Sequence, residues 1–130
     1  MSVLKSQRGA STMQFVQTAR ELAEYTTSVC RKLPKSLTFY GGSQLWTLAR
    51  EILSHVTRAN SVYPTNAHEL QERRDCFIKA NEAVQDYLVQ LDMLKPHVEP
   101  KKFQEMVRLA TAEAALISAC KTADAKRYKF

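Results

Sequence analysis

The sequence is short of the residues that make turns. Its 130 residues include only three glycines and four prolines. A mostly β protein needs many more turn residues between its strands, so the composition favours a few long helices. Hydrophobic residues make up 45% and charged residues 25%, which is ordinary for a globular protein. The length suits one domain with a single core.

Long apolar runs and a cysteine pattern are also missing. No stretch approaches the roughly 18 apolar residues of a membrane helix, and the first residues lack the sustained apolar segment of a secretory signal. Three cysteines at wide spacing, Cys30, Cys76 and Cys120, do not form a disulfide framework. We therefore expect no membrane partner, a reducing cytoplasmic location, and cysteines packed as small buried hydrophobes.

Motifs of catalysis are scarce. The sequence has no glycine-rich phosphate loop, no nucleophile elbow, and no Glu-x-x-His motif of the kind that di-iron bundles use. His68 to Glu72 approaches the zinc-protease spacing but ends in glutamate, and Glu51 with His55 is a single pair. Members of a nucleophilic triad need not be neighbours in sequence, so that possibility stays open. We predict no enzymatic activity, no metal and no cofactor.

Apolar residues recur at steps of three and four in four segments, which predicts four helices. The central one lies between Pro34 and Pro64, and Gly41-Gly42 precedes it. Arg73 is a charged member of an otherwise apolar stripe, so we expect its stem to be buried and its head to reach solvent. The predicted helices cover about residues 11–33, 43–62, 66–94 and 100–121. Short connections predict an all-α, antiparallel up-down four-helix bundle.

The positive charge is concentrated at the two ends of the chain. The formal net charge is +6, of which the first ten residues carry +2 and the last ten carry +3. We divide the chain into a flexible basic arm (1–10), a helical bundle (11–122) and a basic tail (123–130). Basic tails are a common electrostatic feature of proteins that bind nucleic acid, although they also serve solubility alone.

Further cations lie where helices are expected to end. Such clusters neutralise phosphates, and the alternative is ordinary solvation of helix ends. The predicted nucleic-acid-binding residues are Lys5, Arg8, Arg31, Lys32, Lys35, Arg58, Arg73, Arg74, Lys101, Lys102, Lys126, Arg127 and Lys129. Tyr128 and Phe130 in the tail are placed to stack on unpaired bases or to dock on protein. Leu37, Phe39 and Tyr40 are expected to fold back over one end of the bundle.

The stretch from residue 33 to residue 60 resembles a known family. The matching residues are Leu33-Pro34-Lys35, Tyr40-Gly41, Gln44-Leu45, Ala49, His55-Val56 and Ala59-Asn60. They resemble small four-helix-bundle proteins that include the ribosomal-RNA intervening-sequence proteins and the accessory variability proteins of diversity-generating retroelements. Residues 1–9 resemble a subgroup associated with retroelements. Trp46-Thr47 and the run Arg58 to Val62 depart from the common pattern, and these departures favour the retroelement branch.

The resemblance implies a function without catalysis. Retroelement accessory proteins assemble as ring-like homopentamers, bind RNA or DNA through a basic surface, and associate with the element's reverse transcriptase. Together they support mutagenic reverse transcription of a template RNA, and the polymerase supplies the chemistry. The alternative is a protein-interaction module, like the intervening-sequence proteins, with no direct role in nucleic-acid binding.

Overall fold

The protein is all-helical over the residues that the structure describes. A computed structural model describes the backbone of residues 2–130 and the side chains of residues 14–130, and this part contains no strand. The four long helices are α1 (Ser2–Cys30), α2 (Ser43–Ser61), α3 (Ala67–Leu94) and α4 (Pro100–Arg127). The predicted all-α helical bundle is therefore confirmed. None of these helices is both long and apolar enough to cross a membrane.

The core consists of the apolar stripes that the spacing predicts. Each helix contributes side chains at steps of three, four or seven. In α3, for example, the buried stripe runs from Arg73 to Leu94. Phe15 of α1 and Phe77 of α3 meet edge to face, with ring centroids 5.4 Å apart. Fully buried core residues include Phe15, Leu22, Leu45, Ile52, Val56, Phe77, Val84, Tyr87, Leu91, Met106 and Ile117. One contiguous core thus joins all four helices.

The start of α3 follows its predicted cap. The side chain of Asn66 accepts a hydrogen bond from the amide of Glu69 at 2.9 Å. The carboxylate of Glu69 in turn accepts one from the amide of Thr65 at 2.8 Å. Together these bonds satisfy donors that a helix start leaves without partners, and the hydrogen bonds from Thr65 lower the pKa of Glu69.

Both ends of the chain are more helical than the sequence suggested. The backbone of α1 begins at Ser2, where we expected an arm as far as residue 10. No proline interrupts residues 2–30, and a single internal glycine costs a helix only about 1 kcal/mol. At the other end, α4 continues through the expected tail to Arg127, because Asp124 is buried against the bundle.

Gly41 and Gly42 form one end of the bundle, which we call the glycine end. The carbonyl of Gly42 accepts a hydrogen bond from the thiol of Cys30 at 3.4 Å. The carbonyl of Gly41 accepts one from the side-chain amide of Gln90 at 3.3 Å. A short helical turn (Lys35–Leu37) and a π-helical turn (Thr38–Gly42) lead into α2 there. The ends of α1 and α3 therefore meet the start of α2.

Arg73 occupies the other end, which we call the Arg73 end. Its guanidinium contacts the carbonyls of Ala59 and Val62, at the end of α2, and the carboxylate of Asp124, near the end of α4. The start of α3 thus meets the ends of α2 and α4.

Replacing Gly41 with alanine is expected to destabilise the fold by about 1–3 kcal/mol, as overpacking does in well-filled cores. An added Cβ would lie 2.7 Å from Cδ2 of the buried Leu94. At Gly42 the nearest atom would be Cδ1 of Leu33 at 3.2 Å, so Gly42→Ala is a graded control with a smaller expected change in stability. Urea unfolding measures both. An equal or larger loss for Gly42→Ala would contradict the close contact at Gly41.

Candidate nucleic-acid interface

The glycine end is rich in positive charge. Residues 31–42 and 95–102 together contain six lysines or arginines and one acid, Glu99. Arg31, Lys32 and Lys35 are exposed, and none makes an ion pair with any side chain between residues 14 and 130. Leu33 lies against Gly42, and Leu94 lies against Gly41, so the two basic segments flank the same pair of glycines.

The first turn of α4 is basic, but one of its two lysines is close to an acidic side chain. Lys101 is exposed, whereas Lys102 is half-buried with its ammonium 3.9 Å from the carboxylate of Glu99. Lys95 was not among the predicted binding residues, although it is exposed at the same end. Its ammonium lies 5.4 Å from the ring centroid of Phe103, close enough for a cation–π contact.

The Arg73 end is also basic. The structure exposes Arg58, Arg74, Lys126, Arg127 and Lys129, and none of these five forms an ion pair within the described part of the chain. The two predicted binding residues of the first ten positions, Lys5 and Arg8, lie outside the residues whose side chains are described.

Arg73 is a correction to the predicted binding set. Its side chain is 8% exposed, and its Nε donates to Oδ2 of Asp124 at 2.7 Å. Its Nη1 donates to the carbonyl of Ala59 at 2.8 Å and to that of Val62 at 3.2 Å. The head of Arg73 is therefore buried rather than in solvent, and its guanidinium is occupied by protein groups. A phosphate would have to displace them.

Two aromatic side chains at the glycine end are also placed differently from our expectation. Phe39 is 74% exposed and Tyr40 is 77% exposed, whereas we expected both to cover the end of the bundle. The π-helical turn buries Gly41 and Gly42 instead, so the backbone covers the core and the rings project from it. The two rings meet edge to face, with centroids 5.2 Å apart.

The aromatic residues of the tail contact each other. The rings of Tyr128 and Phe130 are nearly parallel, 5.9 Å apart between centroids, and Tyr128 is half-buried. This stack covers one face of each ring. Base stacking on the tail, which stays a prediction, would use the outer faces or open the pair.

The sequence analysis missed one polar group inside the bundle, the carboxyl of Glu113. Glu113 is fully buried and neither carboxyl oxygen has a hydrogen-bond partner among the described residues. Burial raises its pKa to about 8, so the carboxyl is mostly protonated at neutral pH. Thr26 and Tyr87, also buried, share a hydrogen bond of 2.6 Å. Glu113 lies seven residues after Met106 and four before Ile117, so helical spacing alone could have placed it in the core.

The thiols of the buried Cys30 and the half-buried Cys120 are poor nucleophiles. Burial raises the pKa of Cys30 and of Cys120 to about 11, and a protonated thiol reacts slowly. His68 and Glu72 meet at 2.9 Å on an exposed face of α3. No group of three or more metal-ligating side chains comes together within the described residues.

Comparisons of the chain with protein families, with curated proteins and with solved structures find no match. The fold and the site define only a class of protein: a helical bundle with exposed basic side chains at both ends.

Proposed function

We propose that the protein is a non-catalytic nucleic-acid-binding protein. The observation that carries this proposal is the group of exposed cations that make no ion pair with any described side chain, above all Arg31, Lys32 and Lys35. Solvated cations of this kind contribute little to stability, whereas each phosphate contact with them releases counterions and favours binding. Such binding is mostly blind to sequence and weakens steeply with salt.

The contacts at the two ends support an antiparallel up-down arrangement of the helices. The end of α1 meets the start of α2, and the start of α3 meets the ends of α2 and α4. In that arrangement the connections after α1 and after α3 lie at one end. The six basic residues of segments 31–42 and 95–102 would then lie at the same end of the bundle.

The narrower role that we propose is that of accessory protein in a diversity-generating retroelement. It rests on the resemblance of residues 33–60 to that family, with its departures at Trp46-Thr47 and at residues 58–62. In this role a ring-like homopentamer would bind the element's reverse transcriptase and template RNA and support mutagenic reverse transcription. Co-purification with that reverse transcriptase, and a mass in light scattering five times that of the chain, are the measurements that test it.

A salt titration tests nucleic-acid binding itself. We expect the chain to bind a fluorescent 20-nucleotide RNA at 50 mM salt and to lose affinity as salt rises, because its contacts are mainly with phosphates. The triple variant Arg31→Gln/Lys32→Gln/Lys35→Gln should bind less tightly, with a log–log salt slope shallower by up to about 2 (about 0.7 for each phosphate that is no longer neutralised). Fluorescence anisotropy measures both quantities.

The matched control removes the same charge from the sides of the bundle. Arg20, Lys79 and Arg108 are exposed residues of α1, α3 and α4, away from the helix ends. After all three are changed to glutamine, the log–log salt slope of RNA affinity should stay steeper than in the triple variant at the glycine end. Equal reductions of affinity in the two triple variants would contradict the placement of the interface at the glycine end, and no binding at 50 mM salt would contradict nucleic-acid binding itself.

One observation favours a protein-interaction module instead. Val89 is 64% exposed and Met93 is 69% exposed, and they lie one turn apart on α3. An exposed apolar pair suits a contact with another protein. A chain that binds no RNA, and whose self-association is abolished in Val89→Ser/Met93→Ser, would support this second function.

A further inference from the structure

We propose that the glycine end binds single-stranded nucleic acid, with unpaired bases stacked on Phe39 and Tyr40 and phosphates held by Arg31, Lys32 and Lys35. This inference rests on the proposed function and adds to it the form of nucleic acid and the residues that would recognise it.

The exposure of the two rings is the first argument. Phe39 and Tyr40 are adjacent in sequence, and about three quarters of each residue is in contact with solvent. Burying such rings would stabilise the fold, so leaving both outside forgoes stability. Large apolar side chains that are exposed side by side mark binding surfaces more often than isolated ones do.

The backbone under the rings is held firmly. Gly41 and Gly42 are buried, and their carbonyls accept hydrogen bonds from Gln90 of α3 and from Cys30 of α1. A π-helical turn of this kind is rare and often occurs at functional sites. These contacts hold the backbone that carries the two rings, so less conformational entropy would be lost when a base stacks on them.

The charge next to the rings favours a polyanion as the ligand. Arg31, Lys32 and Lys35 precede the turn, and residues 31–42 contain no acid. Aromatic faces beside cations are how proteins hold single strands without reading sequence. In a duplex the base faces are already stacked on each other, so only an unpaired strand could use Phe39 and Tyr40.

A neighbouring cleft extends this surface. It has a volume of about 330 Å³, and its lining includes Arg31, Thr38 and Trp46. The indole N–H of Trp46 donates to Oγ1 of Thr27 at 2.9 Å. The guanidinium of Arg50 lies 4.8 Å from the centroid of the Trp46 ring. A strand whose bases stack on Phe39 and Tyr40 could continue through this cleft along α2. Arg50 would then be a further cation beside it.

The test compares single strands with duplexes. Fluorescence anisotropy at 50 mM salt measures the affinity of the wild type and of Phe39→Ala/Tyr40→Ala for a labelled 20-nucleotide oligo(U) and for a labelled 20-base-pair RNA duplex. We expect the double variant to bind oligo(U) at least about 5- to 150-fold more weakly, the loss that the removal of one stacked base predicts. Its affinity for the duplex should stay within twofold of the wild type.

Two control variants isolate stacking from other effects. Tyr63 is as exposed as Tyr40, at 77%, but follows the other end of α2, so Tyr63→Ala tests the removal of an unrelated tyrosine. Met93 is an exposed, non-aromatic side chain at the end of α3, next to the buried Leu94 at the glycine end, so Met93→Ala tests the removal of apolar surface. Both should bind oligo(U) as the wild type does, and Tyr40→Phe should too.

The outcomes separate this inference from the function on which it rests. A wild type that binds neither oligo(U) nor duplex overturns both. A wild type that binds both, with a double variant that is unchanged or equally weakened for both, overturns the stacking inference alone. A double variant that changes only the oligomeric mass in light scattering would show that the rings contact protein, which also overturns it.

Discussion

Replacing Arg73 with methionine is expected to lower the free energy of unfolding by about 3–5 kcal/mol, the usual loss when one partner of a buried ion pair is removed. The change would leave the carboxylate of Asp124 buried without its cation. It would also remove the donor to the carbonyl of Val62, just after α2, and one of the two donors to the carbonyl of Ala59, which accepts the backbone N–H of Val62 as well. Urea unfolding followed by circular dichroism measures the loss.

The neighbouring residue supplies the control. Arg74 carries the same side chain one position along α3 but is exposed, so Arg74→Met should change stability by less than about 0.5 kcal/mol. The double variant Arg73→Met/Asp124→Leu should recover part of the loss, since it removes both charges from the interior. If Arg73→Met costs no more than Arg74→Met, the buried pair does not have the structural role that we assign to it.

The helices could be predicted because their information is local. A stripe such as Phe15, Leu22 and Val29 is visible within one segment, and burial of that stripe holds the helix in the bundle. The cap at Asn66 could likewise be predicted, because its hydrogen bond joins residues only three positions apart. The end of α4 was placed too early because what holds it is Asp124 with Arg73, a contact across 51 positions.

The candidate site was less predictable for the same reason. Charge could be counted from the sequence, and nine of the predicted binding residues are exposed, although their role in binding stays a prediction. Whether a residue such as Arg73 points into solvent depends on groups from other helices. Phe39 and Tyr40 follow a proline and precede two glycines, and no periodicity shows that those glycines, rather than the rings, pack against Leu94 and Leu33.

Replacing Glu113 with glutamine is expected to stabilise the protein at pH 8 and to leave it nearly unchanged at pH 5. The carboxyl is fully buried without a partner among the described residues, and burial raises its pKa to about 8 from an ordinary value of 4.5. Between these two values the unfolded chain loses the proton of Glu113 while the folded chain keeps it. Folding stability therefore falls as pH rises through this interval and levels off above pH 8.

The shift of the pKa corresponds to a loss on the order of 4 kcal/mol between pH 4.5 and pH 8. Glutamine has the same shape and cannot ionise, so the variant should lack this part of the pH dependence. Urea unfolding at pH 5, 6, 7 and 8 gives the comparison, with the exposed Glu24→Gln as the control that should parallel the wild type. Parallel curves for wild type and Glu113→Gln would mean that the carboxyl is solvated or paired in solution. Glu113→Leu should be more stable than either at pH 8, because it also removes an unpaired polar group from the core.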